Sequence, residues 1–193
     1  MLDDTIYFKS YEIIGGEKFM SPSPILGHSN IITELLTVIN NYLRRNNRGR
    51  VFADNTDVHF PDGSLFKPDL VVVTKENYSI LNWKGAIYGV PDMVVEVLSP
   101  STRVRDLTVK KDAYESNGVK EYWIVDPYMK TVDVYVLYDG KYKLENSYAK
   151  YSDYDFENLT DEEKAAVKYE IKVSIFGDLY VKVDDIFSWS YDS

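Results

Sequence analysis

Glu96 lies in Met93 to Leu98, a run whose other members are all apolar. Read as a strand, the alternation puts Val94 and Leu98 beside Glu96 and turns Met93, Val95 and Val97 to the opposite face. Both faces are then buried, and an ionised carboxylate there costs several kcal/mol unless a cation or a proton compensates it. Asp69 follows Pro68 and opens a second apolar run, Leu70 to Val73. A carboxylate at a strand entry fixed by proline projects from the strand end. Two hard oxygen ligands from neighbouring strands suit Mg2+ or Mn2+, which accept carboxylate, water and phosphate oxygens. The third group is Lys110. At about 100° per residue, a helix over Val104 to Asn117 sets Lys110 between Ala113 and Tyr114 inside the apolar stripe, while Lys111 falls outside it.

Each of these residues also has a bland reading. Glu96 fits a buried ion pair, Lys110 fits a stem that packs while its ammonium reaches water, and Pro-Asp is usually a turn, as Pro61-Asp62 and Pro91-Asp92 suggest. Glu96 and Lys110 nevertheless account for one another, because each supplies the counter-charge the other lacks. Between them, Ser99, Ser101, Thr102, Arg103 and Arg105 form a strand-to-helix turn with the groups that contact phosphate. Helix capping by Ser101, Thr102 or Asp106 is the alternative.

These side chains need a sheet and helices to hold them. Tyr11, Ile13 and Ile14 before Gly15-Gly16 read as a short strand and turn, and the Ser21 to Pro24 stretch excludes regular structure. The apolar spacing from Ile31 to Leu43 predicts a helix, ended by Asn46 to Gly49. Val51 to Phe60 and Leu70 to Val73 read as a strand pair joined by the Pro61 to Ser64 turn. Lys75 to Pro91 reads as a loop. Met93 to Leu98 is a central strand, and the following helix ends at Gly118. Glu121 to Val125, Val132 to Leu137 and Lys141 to Tyr148 continue the sheet, the last two around Asp139-Gly140. Helix around Leu159 to Val167 and strands Tyr169 to Ile175 and Leu179 to Val183 complete a mixed α/β pattern.

The chain has 193 residues, no cysteine, and 22 basic against 31 acidic residues for a net charge of -9. The absence of cysteine excludes disulfides, thiolate catalysis and Cys-ligated zinc. No apolar run reaches the length that spans a bilayer, and the start lacks a signal-peptide pattern, so a cytoplasmic protein with no membrane partner is expected. The charge argues against a simple nucleic-acid coat protein. It is unevenly spread, however: residues 139–193 hold 7 basic and 13 acidic groups, whereas between His28 and Arg50 the balance reverses, with Arg44, Arg45, Arg48 and Arg50 against the lone Glu34. No repeat, linker or low-complexity tract divides the sequence, which predicts a single domain over residues 1–193.

The segments KPDLVVV (Lys67 to Val73), MVVEVLSPST (Met93 to Thr102) and RDLTVKKDAYESNGVKEYWIVDP (Arg105 to Pro127) resemble the Uma-type family of restriction endonucleases, within the PD-(D/E)XK nuclease superfamily. The resemblance implies a restriction-endonuclease-like core over about residues 28–127, a central mixed β-sheet flanked by helices. Additional antiparallel strands lie at both ends, and a strand-rich acidic extension covers about 128–193. It implies Asp69 and Glu96 as Mg2+ or Mn2+ ligands and DNA as substrate. The superfamily's usual lysine, two positions after the glutamate, is here Leu98. The family's D-L-x-x-K-x-x-x-Y frame is matched by Asp106, Leu107, Lys110 and Tyr114, which points to Lys110 as the migrated lysine. The resemblance also singles out His28 at the opening of the first helix and Glu34 on it as auxiliaries, and a homodimer as the form that cuts both strands.

The expected activity is therefore Mg2+-dependent hydrolysis of DNA phosphodiester bonds by metal-activated water, with Asp69, Glu96 and Lys110 catalytic. Two alternatives stand beside it. One is a catalytically inactive nuclease scaffold that binds protein or nucleic acid, suggested by Leu98, the net charge and seventeen tyrosines. The other is an acidic tail that imitates nucleic acid for a basic partner.

Overall fold

The computed structural model describes residues 11–20, 26–53 and 56–188; Ser21 to Pro24 lie outside them. In chain order the elements are β1 (Tyr11–Ile14), β2 (Glu17–Met20), α1 (Leu26–Asn46), β3 (Gly49–Ala53), β4 (Val58–His59), β5 (Leu65–Phe66), β6 (Leu70–Thr74), β7 (Ile87–Tyr88) and β8 (Met93–Val97). A helical segment over 103–117, called α2, follows; its parts are Arg103–Arg105, a π turn at Asp106–Lys110, and Lys111–Asn117. Then come β9 (Glu121–Asp126), β10 (Thr131–Tyr138), β11 (Lys141–Ala149), short helices Asp153–Glu157 and Asp161–Ala166, β12 (Glu170–Val173), β13 (Leu179–Lys182) and the turn of helix Val183–Ile186.

Six strands form a mixed central sheet in the order β11-β10-β9-β8-β6-β3. Only β8 and β9 run parallel within it. That pairing requires a crossover, and α2 is the connection. One face of the sheet carries Leu70, Val72, Val95, Val97, Trp123 and Val125 against the α1 residues Ile31, Leu35, Ile39 and Leu43 and the β12–β13 hairpin. The opposite face carries Val71, Val73, Val94, Leu98, Tyr122 and Ile124 against Tyr114 of α2 and a smaller sheet. With both faces covered, the central strands read as unbroken apolar runs. β8 is buried at every position, and Glu96 shares the α2 side with Val94 and Leu98 by alternation. No helix among the described residues is long and apolar enough to cross a membrane.

The smaller sheet, in the order β2-β1-β5-β4-β7, corrects the expected strand pair. Val51 to Phe60 is two strands in two sheets, because Val51 packs on the α1 side while Val58 and Phe60 pack on the α2 side. The Pro61 to Ser64 turn joins β4 to β5, closed by a bond from the Phe60 N–H to the Ser64 carbonyl at 2.9 Å, with Gly63 at φ 88°. β3 does pair antiparallel with β6, but through a longer route. Their approach is so close at Gly49 that a Cβ would stand 2.4 Å from the Val73 carbonyl oxygen. The expected loop from Lys75 to Pro91 contains a 3-10 turn, Lys75–Ile80, and β7.

The β6–β8 register positions the chemistry. Val72 pairs with Met93, Val71 with Val94 and Leu70 with Val95; continued by one pair, it sets Asp69 opposite Glu96. Asp92 locks the far end of this ladder. Its carboxylate accepts from the Thr74 N–H at 2.8 Å, from Asn77 Nδ2 at 3.2 Å and from Lys120 Nζ at 2.6 Å. Burial pushes the Asp92 carboxyl up, but Lys120, the Thr74 amide and Asn77 outweigh it and hold the group below the ordinary carboxylate range.

Asp92→Ala strands the Thr74 amide, and the expected loss is about 2 kcal/mol at neutral pH. A depressed folded-state pKa contributes stability above the unfolded-state value of about 3.9 and loses it as pH falls through the folded value. Urea denaturation of the two proteins will therefore show a gap that narrows in acid below that value.

Candidate active site

The site is a seam between β8, α2 and the N-terminal strand. Lys110, only 4% exposed, extends from α2 and places Nζ 3.0 Å from Glu96 Oε1, 3.0 Å from Glu12 Oε1 and 3.3 Å from Asp106 Oδ1. The Tyr114 hydroxyl donates to the same Glu96 oxygen at 2.7 Å. Glu96 is 3% exposed. The π turn at Asp106–Lys110 interrupts the ordinary helical ladder, a distortion that concentrates at functional sites. The Tyr122 hydroxyl donates to the Asp106 carbonyl there at 3.0 Å. Asp106, Lys110 and Tyr114 all turn inward from α2.

Asp69 occupies the end of β6. Its Oδ2 accepts from the Val97 N–H at 2.7 Å and lies 3.2 Å from His28 Nε2. One carboxylate thus ties β6 to β8 and to the first turn of α1. Glu12, from β1, is held by the Lys67 N–H at 3.1 Å and faces Arg105 Nη2 at 3.8 Å. Arg105 also covers the Phe19 ring, 5.2 Å from its centroid.

Four carboxylates, Glu12, Asp69, Glu96 and Asp106, act on the Lys110 charge. Burial alone would drive Lys110 down, yet the field of Glu96, Asp106, Glu12 and Asp69 carries it above the ordinary lysine range, so it stays an ammonium. Burial pushes Glu96 well above the ordinary glutamate value; Lys110 opposes this, while Asp106, Asp69 and Glu12 push the same way. Asp106 is also raised, by burial first and against the pull of Lys110. The permanent cations in contact are Lys110 and Arg105. Negative charge is in surplus, and a proton or a further cation must balance it. The ion pairs at two of the buried oxygens are loose: Asp106 Oδ1 lies 3.3 Å from Lys110 Nζ, and Glu12 Oε2 lies 3.8 Å from Arg105 Nη2.

This donor set fits a hard divalent cation in one way. Among the described residues no three His, Cys, Asp or Glu side chains converge as a metal cage. Mg2+ is commonly held by one or two carboxylates, with water and phosphate oxygens completing the shell. Glu96 on β8 and Asp69, which immediately precedes β6 and stands opposite Glu96 in the continued register, would be the two carboxylates of such a shell.

The remaining sequence candidates are distributed around the seam. Ser99 Oγ lies 2.9 Å from Thr102 Oγ1 and 3.1 Å from Ser101 Oγ, knitting the turn between β8 and α2. Arg103 pairs with Asp126, and Arg105 is committed to Glu12 instead of facing solvent. Glu34 is half-buried on α1, and no hydrogen bond or ion pair joins it to the seam among the described residues. The acid that the sequence reasoning did not select is Glu12. Its signal is modest: in Tyr-Glu-Ile-Ile, Glu12 alternates with the buried Ile14, so a charge sits at a core position of a short strand.

Comparison with known proteins identifies the family and the fold. The Uma2 family, described as "Putative restriction endonuclease", matches residues 8–173. Among solved structures, a "putative nuclease belonging to DUF820" from Anabaena variabilis superposes with a TM-score of 0.69 at 23% identity, covering 94% of this chain and 91% of that one. At that identity the likeness shows a shared fold. No curated protein matches.

Lys110→Met keeps the stem and removes the charge. Breaking a buried pair from one side costs about 3–5 kcal/mol, and that loss is expected in mildly alkaline solution. The abandoned carboxylates bind protons more tightly in the folded than in the unfolded chain, so folding is favoured as pH falls and the loss shrinks in mild acid. Denaturant titration at the two pH values checks both signs. Glu96→Gln, which removes charge from the surplus side, is expected to leave stability unchanged or higher.

Proposed function

The chain belongs to the Uma2 family, and from that premise we propose that it is a divalent-metal-dependent endonuclease that hydrolyses phosphodiester bonds of DNA. The observation carrying the proposal is the Lys110 ammonium 3.0 Å from Glu96, with Asp69 opposite on the neighbouring strand. The lysine absent from the usual position, where Leu98 stands, is replaced in space by one from the following helix. Leu98 is buried in the apolar cluster beside Tyr114 and Tyr122, where an ammonium could not be hydrated.

Asp69 and Glu96 would hold Mg2+ or Mn2+. When bound, the cation supplies Lewis-acid charge and makes water acidic enough to lose a proton near neutral pH. The chain's own residues do the rest. The Val97 amide and His28 fix Asp69, and Tyr114 and Lys110 fix one oxygen of Glu96, so both carboxylates are preorganised. Lys110 holds a permanent positive charge where negative charge develops on a phosphate. A two-fold homodimer is the form we propose for cutting both strands of a duplex, because each copy carries one such seam.

Nicking of supercoiled plasmid in Mg2+ or Mn2+ is expected to fall at least about a hundredfold in Asp69→Ala and in Glu96→Ala. In parallel, calorimetric titration should find Mn2+ binding in the wild type and none in Glu96→Gln, which keeps the shape of the side chain. Cleavage that survives in both carboxylate variants would overturn the reading.

A further inference from the structure

A second concavity, of about 600 Å3, opens beside the smaller sheet and is lined by Phe52, Asp57, His59, Lys67, Trp83 and Tyr88 among others. Its aromatic surfaces face water: Trp83 is 69% exposed and Tyr88 53%. His59 stacks on Tyr88 with centroids 4.8 Å apart and planes within 7°, while Phe52 and Trp83 stand 6.2 Å apart at 57°. Tryptophan is among the side chains with most to gain from burial. Its display on the surface therefore needs an explanation.

Looseness does not provide one. Trp83 sits on a tight turn closed by the Gly85 N–H to the Asn82 carbonyl at 2.9 Å and the Asn82 N–H to the Ala86 carbonyl at 3.1 Å. Asn82 Oδ1 braces the turn by accepting from the Lys84 N–H at 3.1 Å. The strand that follows is zipped to β4 through Ile87 N–H to the Asp57 carbonyl and Gly89 N–H to the His59 carbonyl, each 2.9 Å. Gly89, at φ 141°, fits there because a Cβ would meet the Ile80 side chain at 2.6 Å. The backbone that carries the indole and the His59–Tyr88 pair is thus fixed, and it presents both aromatic surfaces to the same cleft.

Lys67 connects this cleft to the acidic seam. Its ammonium lies 2.8 Å from Asp57 in the cleft, while its backbone N–H donates at 3.1 Å to Glu12 Oε1, the oxygen that also faces Lys110. Asp69 follows two positions later. A ligand that reached both places would pair a flat ring, for the aromatic cleft, with a phosphate, for the seam. We propose that the cleft receives one unpaired nucleobase, stacked against Trp83 and the His59–Tyr88 pair, and so places the adjoining backbone toward Asp69 and Glu96. The substrate side of this inference rests on the nuclease reading; the base-binding side stands on the cleft itself.

The test uses the full chain in chelator, so that no cleavage intervenes, with a labelled short oligothymidine and a fully paired duplex as probes. Stacking on an aromatic side chain is worth enough that Trp83→Leu should weaken oligothymidine binding by about tenfold. Tyr88→Leu is expected to act in the same direction, with duplex affinity changed by less than about twofold in either variant. Oligothymidine should also quench tryptophan fluorescence in the wild type but much less in Trp83→Leu. Equal oligothymidine affinity in the wild type and both variants, or no oligothymidine binding by the wild type, overturns the proposal. A wild type that ignores oligothymidine yet nicks plasmid through Asp69 and Glu96 overturns the cleft alone. Trp83-dependent binding without any metal-dependent cleavage overturns the nuclease reading and supports the cleft.

Discussion

A single buried ammonium facing several carboxylates is the constraint around which the rest of the molecule is arranged. Lys110 contacts Glu96, Glu12 and Asp106 within 3.3 Å, and none of the four side chains has useful access to bulk water. Such a group is tolerable only if its geometry is held, because each charge is expensive alone. The held geometry explains why the β8–α2 turn is cross-linked by hydroxyls, why Tyr114 and Tyr122 spend their phenol groups on the seam, and why a hairpin from the start of the chain closes over it.

Function and stability draw on the same charges in different ways. Lys110 neutralises the seam, and in the proposed reaction the same charge would serve the phosphate. Glu96 has the reverse character. Burial disfavours its ionised carboxylate in the folded chain, so a bound cation, as proposed, would relieve that cost. Asp69 is less constrained by burial and is oriented by a backbone amide and an imidazole, so the two candidate ligands differ in environment.

The parts of this arrangement legible in the sequence were those announced by a violated pattern. Glu96 interrupts an apolar run, and Lys110 interrupts an apolar helix stripe; each anomaly predicts burial and a counter-charge, and the coordinates put their charged atoms at 3.0 Å. α1 was legible because its periodicity extends over 21 residues, and β8 and β9 because short apolar runs bounded by turn residues mark strands buried on both faces. The smaller sheet was not, since β4, β5 and β7 have two residues each and an alternation that short carries no period. Glu12 was hidden for the same reason. Nor does any residue pattern mark the π turn: Asp106 to Lys110 reads as ordinary helix in the sequence.

The outer margin of the central sheet bears on how copies of this chain meet. β11 is an edge strand, and Lys141, Lys143 and Glu145 along it are exposed. Its pairing with β10 also shifts register between Val134 and Tyr135. Charges and a bulge on a free edge discourage an incoming strand. That border is therefore guarded against runaway cross-β growth, and copies of the chain are steered away from joining edge to edge along β11.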